Sequence, residues 1–309
     1  MRNPMQIPKL LPLLATATFA GGIMHNTNQS VDFVRNFAQD ASLTNSAVYY
    51  NPAGTAFAED GLYASVNSQT VWQTREIKTD LYGDYEGKSF VPVMPSLLIN
   101  WHHGDFALSG GFFLIGGGGE AKFYDGLPMI DQLISAMIST QAGANPALTK
   151  LIAAAGITNP TDLFSTKFIG KQYVYAWQLG ASYHFIDMFS AFLGARINYA
   201  YNAYEGTMKS SLDNETLNAM FTKTLLDCEQ TGWGITPIAS LGFHYKKFSA
   251  GIKYEHNTSI EMETDTEEID ATVAAIMPQF ADGAKSENDL PAILSVGVSY
   301  AWFDWLRTG

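Results

Sequence analysis

The stretch YVYAWQLGASYHF, residues 173–185, alternates strictly. Tyr173, Tyr175, Trp177, Leu179, Ala181, Tyr183 and Phe185 share one side of an extended chain, and Val174, Ala176, Gln178, Gly180, Ser182 and His184 share the other. Period-two alternation means a β-strand with two different faces. One face is aromatic and aliphatic, the other small or polar, as for a strand that meets lipid outside and a lumen inside. A soluble sandwich also alternates, but it seldom buries so much Tyr and Trp on one face.

The pattern continues on both sides of this strand. Ala191, Leu193, Ala195, Ile197, Tyr199 and Tyr201 oppose Arg196, Asn198 and Asn202. Trp233, Ile235, Pro237, Ala239, Leu241, Phe243 and Tyr245 oppose Thr236, Ser240, Gly242 and His244. Phe248, Ala250, Ile252 and Tyr254 oppose Ser249, Lys253, Glu255 and Asn257, and Leu294 to Trp302 repeats the scheme. Eight spanning strands are expected, at 61–78, 88–101, 106–116, 171–185, 189–204, 231–245, 248–262 and 290–302. The fold class is therefore all-β, a transmembrane antiparallel up-and-down barrel.

Composition agrees. Charged residues are 16% and aromatics 13% of 309 residues, against about 25% charged in ordinary soluble domains. Mean hydropathy is −0.02 and no apolar run is long enough for a helical span. The net charge of −12 argues against nucleic acid, whose phosphates need clustered cations. The single cysteine, Cys228, cannot form an internal disulfide and reads as a free thiol. No Cys or His spacing indicates a metal, and no cofactor is expected.

The connections are unequal. WHHGDF (101–106), FIDMF (185–189) and YKKF (245–248) are tight turns flanked by outward aromatics, whereas 117–170, 206–230 and 262–289 are long. Outer-membrane barrels have short periplasmic turns and long external loops, which orients the chain. In the first long connection Ile130, Leu133, Ile134, Met137 and Ile138 recur at helical spacing, and a second short helix is expected over Pro146 to Ala155. Leu217, Met220, Phe221 and Leu225 suggest another. These helices read either as a lid packed on itself or as an external apolar docking groove. The acidic run EMETDTEEID (261–270) reads as a solvated loop. Pro95, the pair Gly110-Gly111 and the run Gly116–Gly119 are irregularities that mean bulges or a gap in the wall.

The amino-terminal end carries two further features. Residues 1–20 read as a cleavable export signal, with Arg2 and Lys9 ahead of the apolar LLPLLATATFA. Residues 21–60 show no alternation but include Val31, Phe33, Val34, Phe37, Val48, Tyr49 and Tyr50, too apolar for a free tail. A plug inside the barrel is expected.

At these residues the sequence resembles a known family. NTNQSVDFVRNFAQDASLTNSAVYYNPAGTAF (26–57) is similar to the hatch of the long-chain fatty-acid transporter (FadL/TodX-like) family, with Asn51, Pro52, Ala53 and Gly54 as the hatch turn. GDFALSGGFFLIGGGGEAKFYDGLP (104–128) and LPAILSVGVSY (290–300) resemble its third strand and a Leu-Pro strand entry. The resemblance implies a fourteen-stranded barrel, a plug, an external groove made by helical loops, and a lateral opening at a kinked third strand. It assigns the groove to the helix bearing Ile130, Leu133, Ile134, Met137 and Ile138, and the kink to Gly110 and Gly111.

The domains expected are a signal peptide at 1–20, a hatch at 21–60 and barrel at 61–309, with a helical external loop at 120–168. With eight strands counted where the resemblance implies fourteen, and an ending in WLRTG, the barrel is expected to be incomplete. The function expected is passive outer-membrane uptake of hydrophobic molecules such as long-chain fatty acids. A carboxylate cargo would need a lumen cation, and Arg196 and Lys253 are the candidates; an ion pair with Glu255 or a hatch acid is the competing reading. The other function class is an outer-membrane adhesin using the helical loops. A barrel hydrolase has only His256 near Ser259 in its favour, so no enzyme is expected. Expected partners are the hydrophobic cargo, outer-membrane lipid and the barrel assembly machinery, with the chain a monomer.

Overall fold

A computed structural model describes residues 26–80, 83–154, 156–157, 159–212, 214–303 and 306–309. The export signal read at 1–20 and the first residues of the hatch segment lie outside these. A single antiparallel sheet dominates, curled into part of a barrel. Its strands are β1 (Gly61–Thr79), β2 (Gly83–His103), β3 (Phe106–Phe123), β4 (Phe164–Ile186), β5 (Phe189–Ser210) and β6 (Lys223–Tyr245), each paired with the next. Then follow β7 (Phe248–Glu255), β8 (Glu261–Ile269), β9 (Lys285–Glu287), β10 (Ile293–Phe303) and β11 (Leu306–Thr308).

The seventh and eighth passes are each broken in two. The lower half of β6 pairs with β7, its upper half with β8, and β7 pairs onward with β10 while β8 pairs with β9. One bridge, Thr258 to Leu290, spans the two breaks. The unbroken strand read at 248–262 is thus corrected. The acidic run is corrected too: it is strand β8, with Met262 and Thr264 buried inward and Glu261, Glu263 and Asp265 exposed. Glutamates at every second position suit a strand that rises into water, so alternation prevails over charge there. Past residues 304–305, which are not described, β11 pairs back on β10 antiparallel. Among the described residues β1 and β11 end the main path of the sheet, and β9 ends the side branch through β8.

Outward faces carry two aromatic rows. Tyr199 lies 4.5 Å from Trp233, which stacks 6.2 Å from Trp177; nearer the short turns Phe243 contacts Phe189 at 5.0 Å and Phe248 at 5.9 Å. Trp233 and Phe243 are ten residues apart on one strand, about 33 Å of chain at ~3.3 Å per residue. Tilted by about 40°, that is an apolar band of roughly 25 Å, the height of an outer-membrane girdle pair. No helix among the described residues is long and apolar enough to cross a membrane.

Helices occupy the long connections: α3 (Pro128–Ala144), α4 (Pro146–Ala154), α5 (Glu215–Phe221) and α6 (Ala271–Ile276). Ile134, Ile138, Leu148, Leu217, Phe221 and Val273 bury one another against Phe164, Met208 and Leu225 at the strand ends. A fully buried side chain of this kind stabilises by about 1.5–3 kcal/mol, enough for such a cluster to order the loops. Asp131 is buried in the first turn of α3, where it accepts hydrogen bonds from Tyr85 of β2 (2.8 Å) and Thr166 of β4 (2.6 Å). That clamps the helix to the wall.

Candidate functional site

Two short helices, α1 (Val31–Arg35) and α2 (Ala47–Tyr50), and a 3-10 turn (Pro52–Phe57) lie against the inner face of the sheet. Helix α2 ends at Asn51, and Pro52 begins the next turn, where its missing N–H leaves nothing unsatisfied. The carbonyls that these short turns leave free are met by the wall. Gln178 Nε2 donates to Val48 O (2.7 Å), Lys253 Nζ to Tyr49 O (2.9 Å), Ser182 Oγ to Pro52 O (2.9 Å) and Ser190 Oγ to Ala53 O (2.7 Å). The polar lumen face read from the sequence is thus a set of donors for buried backbone. Asn51 Nδ2 ties the two arms of the segment by donating to Ser42 O at 3.0 Å.

The wall is also shaped to admit this backbone. Gly242, Gly251 and Gly297 are register partners on β6, β7 and β10. A β-carbon on Gly251 would overlap the Asp40 carbonyl and lie 2.7 Å from Asn51 Oδ1; one on Gly297 would lie 2.7 Å from Asp40 Cβ, and one on Gly242 3.3 Å from Ala53. Only a glycine row lets the segment come this close. Above it Val48, Tyr49 and Tyr50 join Leu98, Phe113, Ile115, Val174, Ala176 and Ala200 in an apolar layer.

Arg196 and Lys253 do not stand open in the lumen. Arg196 is 1% exposed and forks onto both oxygens of Glu255, at 2.7 and 3.2 Å, while Lys253 reaches Glu255 at 2.8 Å. Both cations also lie 5.0 Å from the ring centroid of Tyr49 in α2. Arg196 further binds Gln178 Oε1 at 2.9 Å. One carboxylate, one ring and one carbonyl occupy both cations, so neither is offered to a ligand head group. The ion-pair reading describes them.

Gly110 and Gly111 are corrected as the irregular point of β3. They pair in unbroken register with Ile99 and Leu98 on one side and Leu179 and Gln178 on the other. The disruption lies further along. No ladder joins β2 and β3 between Ser89↔Ala121 and Leu97↔Phe112, and the β3–β4 register slips between Leu114 and Gly119. Pro92 and Pro95 remove donors on the β2 side, and Gly117 and Gly119 take positive φ of 89° and 78° on the β3 side. Residues 113–117 are buried in succession, so the strand turns inward there. The chain at 26–30 fills the interruption. Asn26 N donates to Ile115 O (2.6 Å), Gln29 Nε2 to Leu114 O (2.9 Å), and Ser96 Oγ to Gln29 O (2.5 Å).

Between the apolar layer and the loop helices is a cavity of about 890 Å³. Ile130, Leu133, Ile134 and Met137 of α3 face it, with Phe168, Tyr204, Leu225, Leu226 and Phe280; Ile138 is buried in the loop cluster instead. The helix face read as an external groove thus roofs an internal space. Its floor is a row missed by sequence reasoning. Gln172, Asn202 and Gln230 are successive register partners on β4, β5 and β6, and all three line the cavity. Each was one polar residue on an alternating strand, and only the register brings them together. His256 and Ser259 engage different partners, Tyr254 and Asp289. Cys228 is buried in β6.

No protein-family model and no curated protein matches the chain in sequence. Solved structures do match in fold. The Ralstonia pickettii toluene transporter TbuX superposes with a TM-score of 0.51 at 15% identity, over 85% of this chain and 64% of its own. A Pseudomonas aeruginosa FadL homologue gives 0.54 at 12% identity, over 93% and 68%. A deltaS2S3 mutant of the monoaromatic hydrocarbon channel TodX gives 0.50 at 13%, over 84% and 62%. This chain therefore spans about two thirds of the length of these structures, 64% for TbuX. The curled antiparallel sheet with a short helical segment on its inner face is the fold of the FadL/TodX-like outer-membrane transporters.

Proposed function

We propose that this protein conducts hydrophobic small molecules passively across a bacterial outer membrane, entering it after removal of an export signal at 1–20. The observation that carries the reading is the apolar cavity of about 890 Å³ between the loop helices and the hatch segment. Its size lies within the ~300–1,000 Å³ of small-molecule sites, and its walls are mostly apolar, with Leu, Ile, Met and Phe the largest share. Lipopolysaccharide excludes apolar solutes, and a water-filled pore offers them no favourable transfer; an apolar chamber does.

In this reading the short turns face the periplasm and the helices face outside. The segment 26–60 acts as a hatch that closes the lumen. The interrupted β2–β3 ladder supplies a sideways exit, and displacement of 26–30 opens it. Five hydrogen bonds tie that stretch to the wall, the three above and two exchanged between Asn28 and Gln69 of β1, each contributing about 0.5–1.5 kcal/mol net, so its release is a local opening that ligand binding must favour. The names of TbuX and TodX, transporters of toluene and monoaromatic hydrocarbons, are in keeping with such cargo. The adhesin alternative is less favoured, because the apolar face of α3 turns into the cavity and the loop cluster.

The test is uptake of a radiolabelled hydrocarbon or fatty acid by cells with and without the gene. Protein-dependent uptake should fall several-fold for Leu133→Asp, which buries a charge in the cavity roof. Equal uptake by cells lacking the gene would exclude a conduit.

A further inference from the structure

We propose that the cavity floor selects an uncharged polar group, so that the cargo is a neutral amphiphile, such as an alcohol or phenol on an apolar body, and not a carboxylate. The proposal rests on the cavity being the cargo site. Asn202 is 2% exposed and lines the cavity, yet its carboxamide makes no hydrogen bond to any described residue. Gln172, beside it in register on β4, is likewise unbonded through its side chain. Gln230, on the other side, donates to Thr264 Oγ1 at 2.9 Å and to Gln279 O at 3.5 Å, and no described donor reaches its Oε1.

Asn202 is buried and Gln172 half-buried, and their amides open to the cavity and not to the wall, so a ligand group or water is what can meet them. Carboxamides both donate and accept, which matches a hydroxyl in either role. Charge is absent from the floor. Among the described lining residues the charged ones are Lys285 and Glu287 at the rim, and Lys285 is held by Glu261 at 2.6 Å. Arg196 and Lys253 are committed to Glu255 on the far side of the apolar layer. A carboxylate reaching Asn202 would be desolvated with no cation to meet it.

Naphthalene, 2-naphthol and 2-naphthoate share one ring system and differ in the group the floor would meet. Equilibrium dialysis at pH 7 against full-length protein in nanodiscs, corrected with empty nanodiscs, measures each affinity. The wild type should bind naphthol several-fold tighter than naphthalene and at least tenfold tighter than naphthoate. Asn202→Leu, close in volume, should weaken naphthol about tenfold, the loss expected for one or two hydrogen bonds, with naphthalene within twofold. Gln172→Met should act in the same direction and guards against a folding defect at Asn202. Naphthoate binding as tightly as naphthol, or naphthol affinity unchanged in both variants, overturns the proposal. Absence of protein-dependent binding for all three would instead overturn the cavity as a cargo site.

Discussion

Gly251→Ala adds one methyl group where the hatch segment rests on the wall. The new β-carbon would overlap the Asp40 carbonyl and approach Asn51 Oδ1 to 2.7 Å, and it has no rotamer by which to escape. Wall and hatch cannot both keep their places. Ladders on both sides pin the wall, through Gly242 and Gly297, so the hatch gives way. Overpacking of this kind costs about 1–3 kcal/mol, which shifts the seated population roughly 5- to 150-fold toward an unseated one. As Asp40 and Asn51 move, the bonds from Lys253, Ser182 and Ser190 to the neighbouring carbonyls stretch with them. The expected results are open-channel conductance in planar bilayers and cleavage within 26–57 by added protease, both rare in the wild type. Gly170→Ala is the control, since a β-carbon there meets Phe168 at an ordinary 3.5 Å. If Gly251→Ala matches the Gly170→Ala control in conductance and protease resistance, the glycine row does not seat the hatch.

Glu255→Gln leaves Arg196 and Lys253 buried without their shared carboxylate, and should destabilise the folded protein by about 3–5 kcal/mol, read as loss of the heat-modifiable band on unboiled gels. Exposed Glu229, paired with Tyr201, is the contrast, and Glu229→Gln should leave that band intact. Burial raises the Asp131 carboxyl above its ordinary value, against the opposing bonds from Thr166 and Tyr85. The folded state thus holds this proton more tightly than the unfolded state. The loop clamp should weaken as pH rises from the ordinary carboxylate value through the raised one, and be strongest below that window. Amide exchange in α3 should report this dependence, and Asp131→Asn should abolish it; an unchanged profile would refute the assignment.

Periodicity along one strand is a local property, and what it implies was readable from the residues. Tyr173 to Phe185 and Trp233 to Tyr245 show their lipid-facing and inward sets directly, and the tight turns at 185–189 and 245–248 follow from the lengths between them. Helix α3 was visible in the spacing of Ile130, Leu133, Ile134 and Met137, because 3.6-residue repetition is equally local. What such helices face is not local, and the apolar side of α3 is claimed by the cavity and the loop cluster. The same limit explains the acidic strand β8, whose partner is the upper half of β6, and the break at 256–260 that frees it. It explains Gly110 and Gly111, whose regular pairing depends on neighbours on β2 and β4. Arg196 showed itself as a lumen cation, but its charge is spent on Glu255, 59 residues away. The sequence by itself determined which residues alternate, where the chain turns, and which segment is too apolar to stay free. Only the tertiary structure decided which inward residues lie side by side, because hydrogen-bonded register joins Gln172 to Asn202 to Gln230 across three strands, and no pattern along one strand encodes that adjacency.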